Sequence, residues 1–255
     1  MAEFQQEQPP EEFIRAYNYA CLHIQQQASN EADFRWIRSS LGASIVEHLS
    51  FGVGNQLFLI FLNVKQGAEW LSYLEGAAKD YFARACIEAN AIPCVMQMNG
   101  QGEQYIVNSP GWGLIHAETR EEITPQDWVT DELIAMSDWE LHDFAIETVK
   151  AYLEKEGKTI TSWQSDLRVD PSFWFEDEKG LHWVLVRSVR YPIKDAGIPE
   201  NIEGIKSTCA RLSNSGFLAS VAVANADDGF DPEQLPLPLY RGCGMYVNFK
   251  GLQPL

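Results

Sequence analysis

From Thr161 to Val189 the chain reads TSWQSDLRVDPSFWFEDEKGLHWVLVRSV. Aromatic and β-branched residues fill Ser172–Phe175 and Leu181–Val189, and such side chains suit a pleated, half-buried surface. The charged run Glu176–Gly180 between them ends in glycine, the composition of a hairpin loop. The spacing therefore predicts two long strands joined by a tight turn. Side chains alternate along a strand. Trp183, Leu185, Arg187 and Val189 should share one face, and His182, Val184, Val186, Ser188 and Arg190 the other. An acid heading the first strand, Asp170, can then face a charged residue on the second.

Upstream, Ser137-Asp-Trp-Glu140 has the capping-box pattern, with Ser at the N-cap and Glu three positions on. It predicts a helix to about Glu156 that buries Leu141, Phe144, Ala145, Val149, Tyr152 and Leu153 and stops at Gly157. Thr159–Gln164 reads as a separate strand. Downstream, the pattern predicts a helix over Ile202–Leu212, a strand over Phe217–Ala224, a loop over residues 225–239 and a last strand over Gly244–Phe249. Asn225, Asp227, Asp228 and Asp231 lack the acid spacing and twelfth-position Glu of a calcium loop.

The order helix, strand, strand, strand, helix, strand, with Asp170 heading one strand, resembles the PD-(D/E)XK nuclease-like superfamily. The resemblance implies a restriction-endonuclease-like αβββαβ domain, in which an Asp and a Glu hold a divalent metal and a Lys two residues after the Glu assists the attacking water. Asp170 stands at the first acid. The next strand reads Val184-Leu185-Val186-Arg187, so Leu185 replaces the second acid and Arg187 the Lys. A Mg²⁺ site needs about two carboxylates plus waters and substrate phosphate. Asp170 and Arg187 thus remain the candidate catalytic positions, and an ion pair between them is the expected outcome. The alternative is a divalent-metal nuclease or phosphodiesterase in which Glu147, Asp166 or Glu176 supplies a displaced second acid beside Asp170, with Mg²⁺ as its cofactor. Otherwise no cofactor is expected.

Arg187, Arg190 and Lys194 form a compact basic group near this sheet, suited to a phosphate or an acidic partner. Their plainer role is to offset Glu176, Asp177 and Asp195. The five histidines, His23, His48, His116, His142 and His182, show no metal-ligand spacing, and no Gly-x-Ser-x-Gly elbow marks a nucleophile. Each His reads as structural.

The N-terminal half predicts a helix from about Glu11 burying Phe13, Ala16, Tyr17, Ala20, Cys21 and Ile24. A second helix is expected over Glu31–Glu47, then a turn at Phe51–Gln56 and a buried strand over Leu57–Val64. A helix over Ala68–Asn90 and a strand over Ala91–Met98 complete a parallel βαβ unit. Tyr105–Asn108 and Leu114–Ala117 read as a hairpin, and Thr124-Pro125 opens a further helical segment. The reading is a mixed α/β (α+β) chain, with an N-terminal mixed domain over 1–130 and the nuclease-like domain over 131–255.

Asp and Glu number 36 against 19 Lys and Arg, for a net charge of −17. That field repels phosphate backbones and disfavours nucleic acid as a partner. Five scattered cysteines without a Cys-x-x-Cys pair argue against a disulfide framework or zinc site. No apolar run reaches the roughly 18 residues of a membrane span, and MAEFQQEQPPEE lacks the layout of a signal peptide. The expectation is a cytoplasmic, non-catalytic interaction protein with a protein partner. An immunity or antitoxin-like role, acidic surface against basic toxin, is its concrete form.

Overall fold

The computed structural model describes residues 10–38, 49–101, 103–231 and 233–255. The chain divides into two compact units, Met1–Ile134 and Ala135–Leu255, and both mix helices with mixed sheets.

In the first unit, α1 (Glu11–Gln27) carries acids in its first turn and buries Phe13, Ala16, Tyr17, Ala20 and Ile24 along one stripe. The strands are β1 (Phe34–Arg38), β2 (Leu49–Val53), β3 (Gln56–Gln66), β4 (Glu69–Ser72), β5 (Ile92–Gln101), β6 (Gln104–Val107), β7 (Leu114–His116) and β8 (Glu122–Ile123), with α2 (Gly76–Glu88) before β5. They form one sheet ordered β1-β2-β3-β5-β7-β8, with β4 beside β3 and β6 beside β5. β3 and β5 are parallel, as the βαβ reading requires. β3 reads as a continuous apolar run because both its faces are covered. Phe58, Ile60, Leu62 and Val64 join the cluster that includes the buried stripe of α1, while Phe61 meets Phe82 of α2 edge-on at 5.7 Å.

Four expectations for this unit are corrected. Residues 51–53, expected as part of a turn, complete β2, and only Gly54 and Asn55 turn the chain into β3. Phe34–Arg38 is strand, not helix, and pairs antiparallel with β2. Phe34 and Trp36 lie edge-to-face at 5.2 Å and both reach Phe51, at 5.3 and 6.1 Å. Aromatic packing on the sheet overrides helical spacing there; residues 39–48, with Leu41 and Ile45, lie outside the described residues. The helix expected from Ala68 begins only at Gly76, because Trp70 pairs across from Lys65 in the short β4. Tyr105–Asn108 and Leu114–Ala117 do not pair with each other. Both β6 and β7 pair with β5, at Gly100↔Tyr105 and Cys94↔His116, since a ten-residue strand offers room for two short partners.

The second unit runs α3 (Asp138–Lys155), β9 (Thr159–Trp163), β10 (Phe173–Asp177), β11 (Gly180–Arg190), α4 (Ile202–Cys209), β12 (Gly216–Asn225) and β13 (Met245–Pro254). The sheet order is β13-β12-β11-β10-β9. β11 and β12 are parallel, with α4 in the crossover, and the other pairs are antiparallel. The capping box at Ser137 forms as the sequence predicts: Ser137 Oγ accepts from the Glu140 amide at 3.2 Å, and Glu140 accepts the Ser137 amide at 3.0 Å.

The alternation in β11 sorts the core. Val184 and Val186 face α3 with Leu141, Ala145, Val149 and Leu153. Trp183 and Leu185 face α4 with Ile205 and Cys209. The segment returning from β12 is anchored to α3: Arg241 donates to Glu140 through Nε at 2.8 Å and a terminal nitrogen at 2.9 Å, with both side chains fully enclosed. No described helix is long and apolar enough to cross a membrane.

Candidate functional site

Asp170 and Arg187 meet. The guanidinium donates to both carboxylate oxygens, at 3.0 and 2.7 Å, and also to the Val186 carbonyl at 2.8 Å. The side chains are 14% and 25% exposed, so the pair is bidentate and largely withdrawn from water. Hairpin register produces the contact: Ser172 donates its amide to Val184 and accepts from the Val186 amide through Oγ. The chain two residues before Ser172 is thereby carried alongside Arg187. Leu185, on the same face of β11, is fully buried in the α4 cluster. Beneath it lies the Cys209 thiol, pushed up to about 11 by burial and then by the Asp170 charge. A thiol held there is a packing group and not a nucleophile.

Two of the displaced acids, Glu176 and Glu147, lie away from Asp170, and the third, Asp166, is paired with Arg168. Glu176 lies opposite Leu181, six residues along β11 from Arg187, about 20 Å at roughly 3.3 Å per residue. Glu147 sits on α3, which packs on the opposite face of the sheet, and is 3.9 Å from Lys150. Asp166 is engaged by its neighbour Arg168 at 3.0 and 3.1 Å. Among the described residues no group of three His, Cys, Asp or Glu side chains is placed to hold a metal ion.

The basic group is split by the strand period. Arg187 points to the α4 face, whereas Arg190 points to the α3 face and bonds Asp138 and the Met136 carbonyl. Lys194, in the loop after β11, lines a cleft with Tyr191, Phe230 and Tyr246. Asp195 beside it is taken by Lys250 at 3.0 Å. The two arginines therefore face opposite sides of the sheet, each engaged by its own carboxylate.

Sequence reasoning missed a polar chain at the hairpin end. Lys158 Nζ donates to Asp177 at 2.8 Å, Asp177 bonds His182 Nε2 at 2.7 Å, and His182 Nδ1 bonds Ser215 Oγ at 2.7 Å. An ionised carboxylate only accepts, so Nε2 carries the proton and in the neutral ring Nδ1 accepts the serine hydroxyl. The order Ser–His–Asp invites comparison with a hydrolytic triad. However, the imidazole is buried, stacked on Phe175 at 4.9 Å and met by Phe217 at 5.7 Å. Its faces are occupied by rings, so the chain acts as a clasp joining the turn after α3, the hairpin and the loop before β12. Ser215 lies 33 residues from His182, and no local motif announces the pairing.

This clasp makes a pH prediction. Hydrogen bonds from Lys158, then His182, then the Lys179 amide hold the Asp177 carboxyl well below the usual carboxylate range. Asp177 in turn raises Lys158 above its ordinary value. A lowered acid stabilises the fold above its unfolded pKa of about 3.9 and ceases to do so as pH falls through the folded value; a raised amine stabilises below about 10.4 and loses this as pH rises further. Asp177→Asn should therefore flatten the acid limb of a stability-against-pH curve, measured by urea unfolding between pH 2 and 7. An acid limb as steep as that of the wild type would reject the clasp.

Residues 139–255 match the family model described as Domain of unknown function (DUF8840). The match starts in the first turn of α3 and contains the five-stranded sheet, Asp170, Arg187 and the clasp. No curated protein and no solved structure matches the chain.

Proposed function

We propose that the chain is a non-catalytic macromolecular interaction protein whose second unit is a degenerate PD-(D/E)XK nuclease-like domain, and that its partner is a basic protein. The single observation that carries this reading is the bidentate Asp170–Arg187 pair. A metal at Asp170 would have to displace a guanidinium from both oxygens and bind beside its charge. The position where that family keeps its second acid is a buried leucine, Leu185. The αβββαβ element order supports the fold resemblance. The net charge of −17 supports a cationic partner, of which a toxin neutralised by an immunity or antitoxin-like protein is the concrete case.

Calorimetric titration of Mg²⁺ and Mn²⁺ into the wild type and Asp170→Asn tests the reading. The expected result is no saturable heat in either protein. Saturable heat in the wild type that vanishes in Asp170→Asn would overturn it and favour a divalent-metal phosphodiesterase. For the partner, proteins retained on the immobilised chain at low ionic strength should be basic and should elute as salt approaches about 0.5 M, where screening shortens to a few ångströms. Retention of acidic proteins, or elution insensitive to salt, would reject the charge argument.

A further inference from the structure

On the α4 side of the sheet, over the carboxyl-terminal residues of β12 and the strand β13 paired with them, lies a cleft of about 390 Å³. That volume is at the small-molecule end of ligand pockets. Its floor is Ala222 and Ala224, side chains small enough to leave depth. Its wall is aromatic: Phe230 meets Tyr191 edge-on at 5.2 Å and Tyr246 at 5.9 Å.

Two features mark a built site and not an incidental groove. Phe230 holds φ at +52°, a left-handed backbone that a bulky side chain rarely adopts. Asp228 maintains it, accepting the Phe230 amide on one oxygen and the Leu237 amide on the other, each at 2.7 Å. Even so, Phe230 remains 43% and Tyr246 59% exposed, so the strained loop presents ring surface to solvent instead of burying it. The opposite rim is equally fixed: the Ala196 amide donates to Ser220 Oγ at 2.7 Å, and Asn248 donates to the Lys194 carbonyl at 3.2 Å. These bonds set Lys194 against the cleft, while the neighbouring Asp195 belongs to Lys250.

We propose that this cleft binds a planar aromatic molecule bearing an anionic group. Phe230 stands between Tyr191 and Tyr246, edge-on to the first and tilted to the second, and the cation lining the cleft, Lys194, repels a cationic ligand and favours an anionic one. The exposed ring surface of Phe230 and Tyr246 beside the small side chains Ala222 and Ala224 takes a flat π-system, and the Lys194 ammonium takes its anion. Both nucleotides and aromatic carboxylates have this chemistry. The inference does not rest on the protein-partner reading, since neither Asp170 nor Arg187 lines the cleft.

The test is calorimetry on the full chain with adenosine monophosphate, indole-3-acetate, adenosine and inorganic phosphate. One-site binding is expected for at least one of the two ring anions, and the tighter of them identifies the source. Adenosine should bind more weakly than its phosphate, and inorganic phosphate should not bind. Tyr246→Ala, at an exposed position that tolerates truncation, should weaken the ring anion about tenfold or more. Lys194→Met should weaken the anion several-fold and leave adenosine unchanged. Absence of saturable heat at millimolar ligand, or equal affinity in Tyr246→Ala, overturns the site. Phosphate binding as well as the ring anion removes the aromatic part, and an unchanged affinity in Lys194→Met removes the anionic part.

Discussion

Arg241→Met is expected to destabilise the protein by about 3–5 kcal/mol, the range for breaking a buried ion pair from one side. Arg241 and Glu140 are 1% and 2% exposed and bond through two contacts, at 2.8 and 2.9 Å. Glu140 cannot move to water when the arginine is lost, because it also accepts the Ser137 amide and hydroxyl in the capping box. The substitution therefore leaves an enclosed carboxylate without its counter-charge. Urea unfolding of the full chain measures the effect. Glu140→Gln in the Arg241→Met background should recover part of the loss, since the amide keeps an acceptor for the cap without a charge. A loss below about 1 kcal/mol in the single variant would show that the carboxylate finds water or a proton at little cost.

Trp183→Ala should cost a similar amount, about 3–5 kcal/mol, as large core truncations do. The indole is 1% exposed, packs with Leu185, Ile205, Cys209 and Leu218, and donates to the Ser213 carbonyl at 3.1 Å. Its neighbour across the parallel pair is Gly216, and a Cβ there would lie 2.1 Å from the ring. Gly216→Ala should consequently destabilise by about 1–3 kcal/mol through overpacking. The two effects share one space, so they should not add. With Trp183 already truncated, Gly216→Ala should be close to neutral, and a double-mutant cycle reads the difference directly. Additive losses would mean that Gly216 serves the backbone and not the ring.

Much of the second unit is legible in the sequence because its signals are local. Ser137 and Glu140 are three residues apart, and their capping box forms within one helical turn. The alternation from Leu181 to Arg190 assigns each side chain to a face before any partner is known. The Asp170–Arg187 pair also follows, because a hairpin brings its own strands together. In the first unit the apolar run Leu57–Val64 announces a strand covered on both sides, and the helix between it and the next apolar run implies the parallel pairing of β3 and β5.

What stayed hidden depends on contacts between distant residues. Phe34–Arg38 has a spacing compatible with a helix, and becomes a strand because Phe51 and β2 lie beside it. The segments Tyr105–Asn108 and Leu114–Ala117 are neighbours in sequence, yet β5 outcompetes each for the other. Glu140 and Arg241 stand 101 residues apart, and neither carries a mark of burial. The period of two already sends Arg187 and Arg190 to opposite faces, but their carboxylate partner Asp138 and the cleft that Lys194 lines come from segments distant in sequence. The sequence alone therefore determined which segments are strands and helices wherever period, cap and turn agree, and the chemistry that Asp170 meets across its hairpin. Only the tertiary structure decided which strands pair, which charges are buried and where rings and a cation converge. Those outcomes are set by burial and pairing energies between segments that local spacing does not encode.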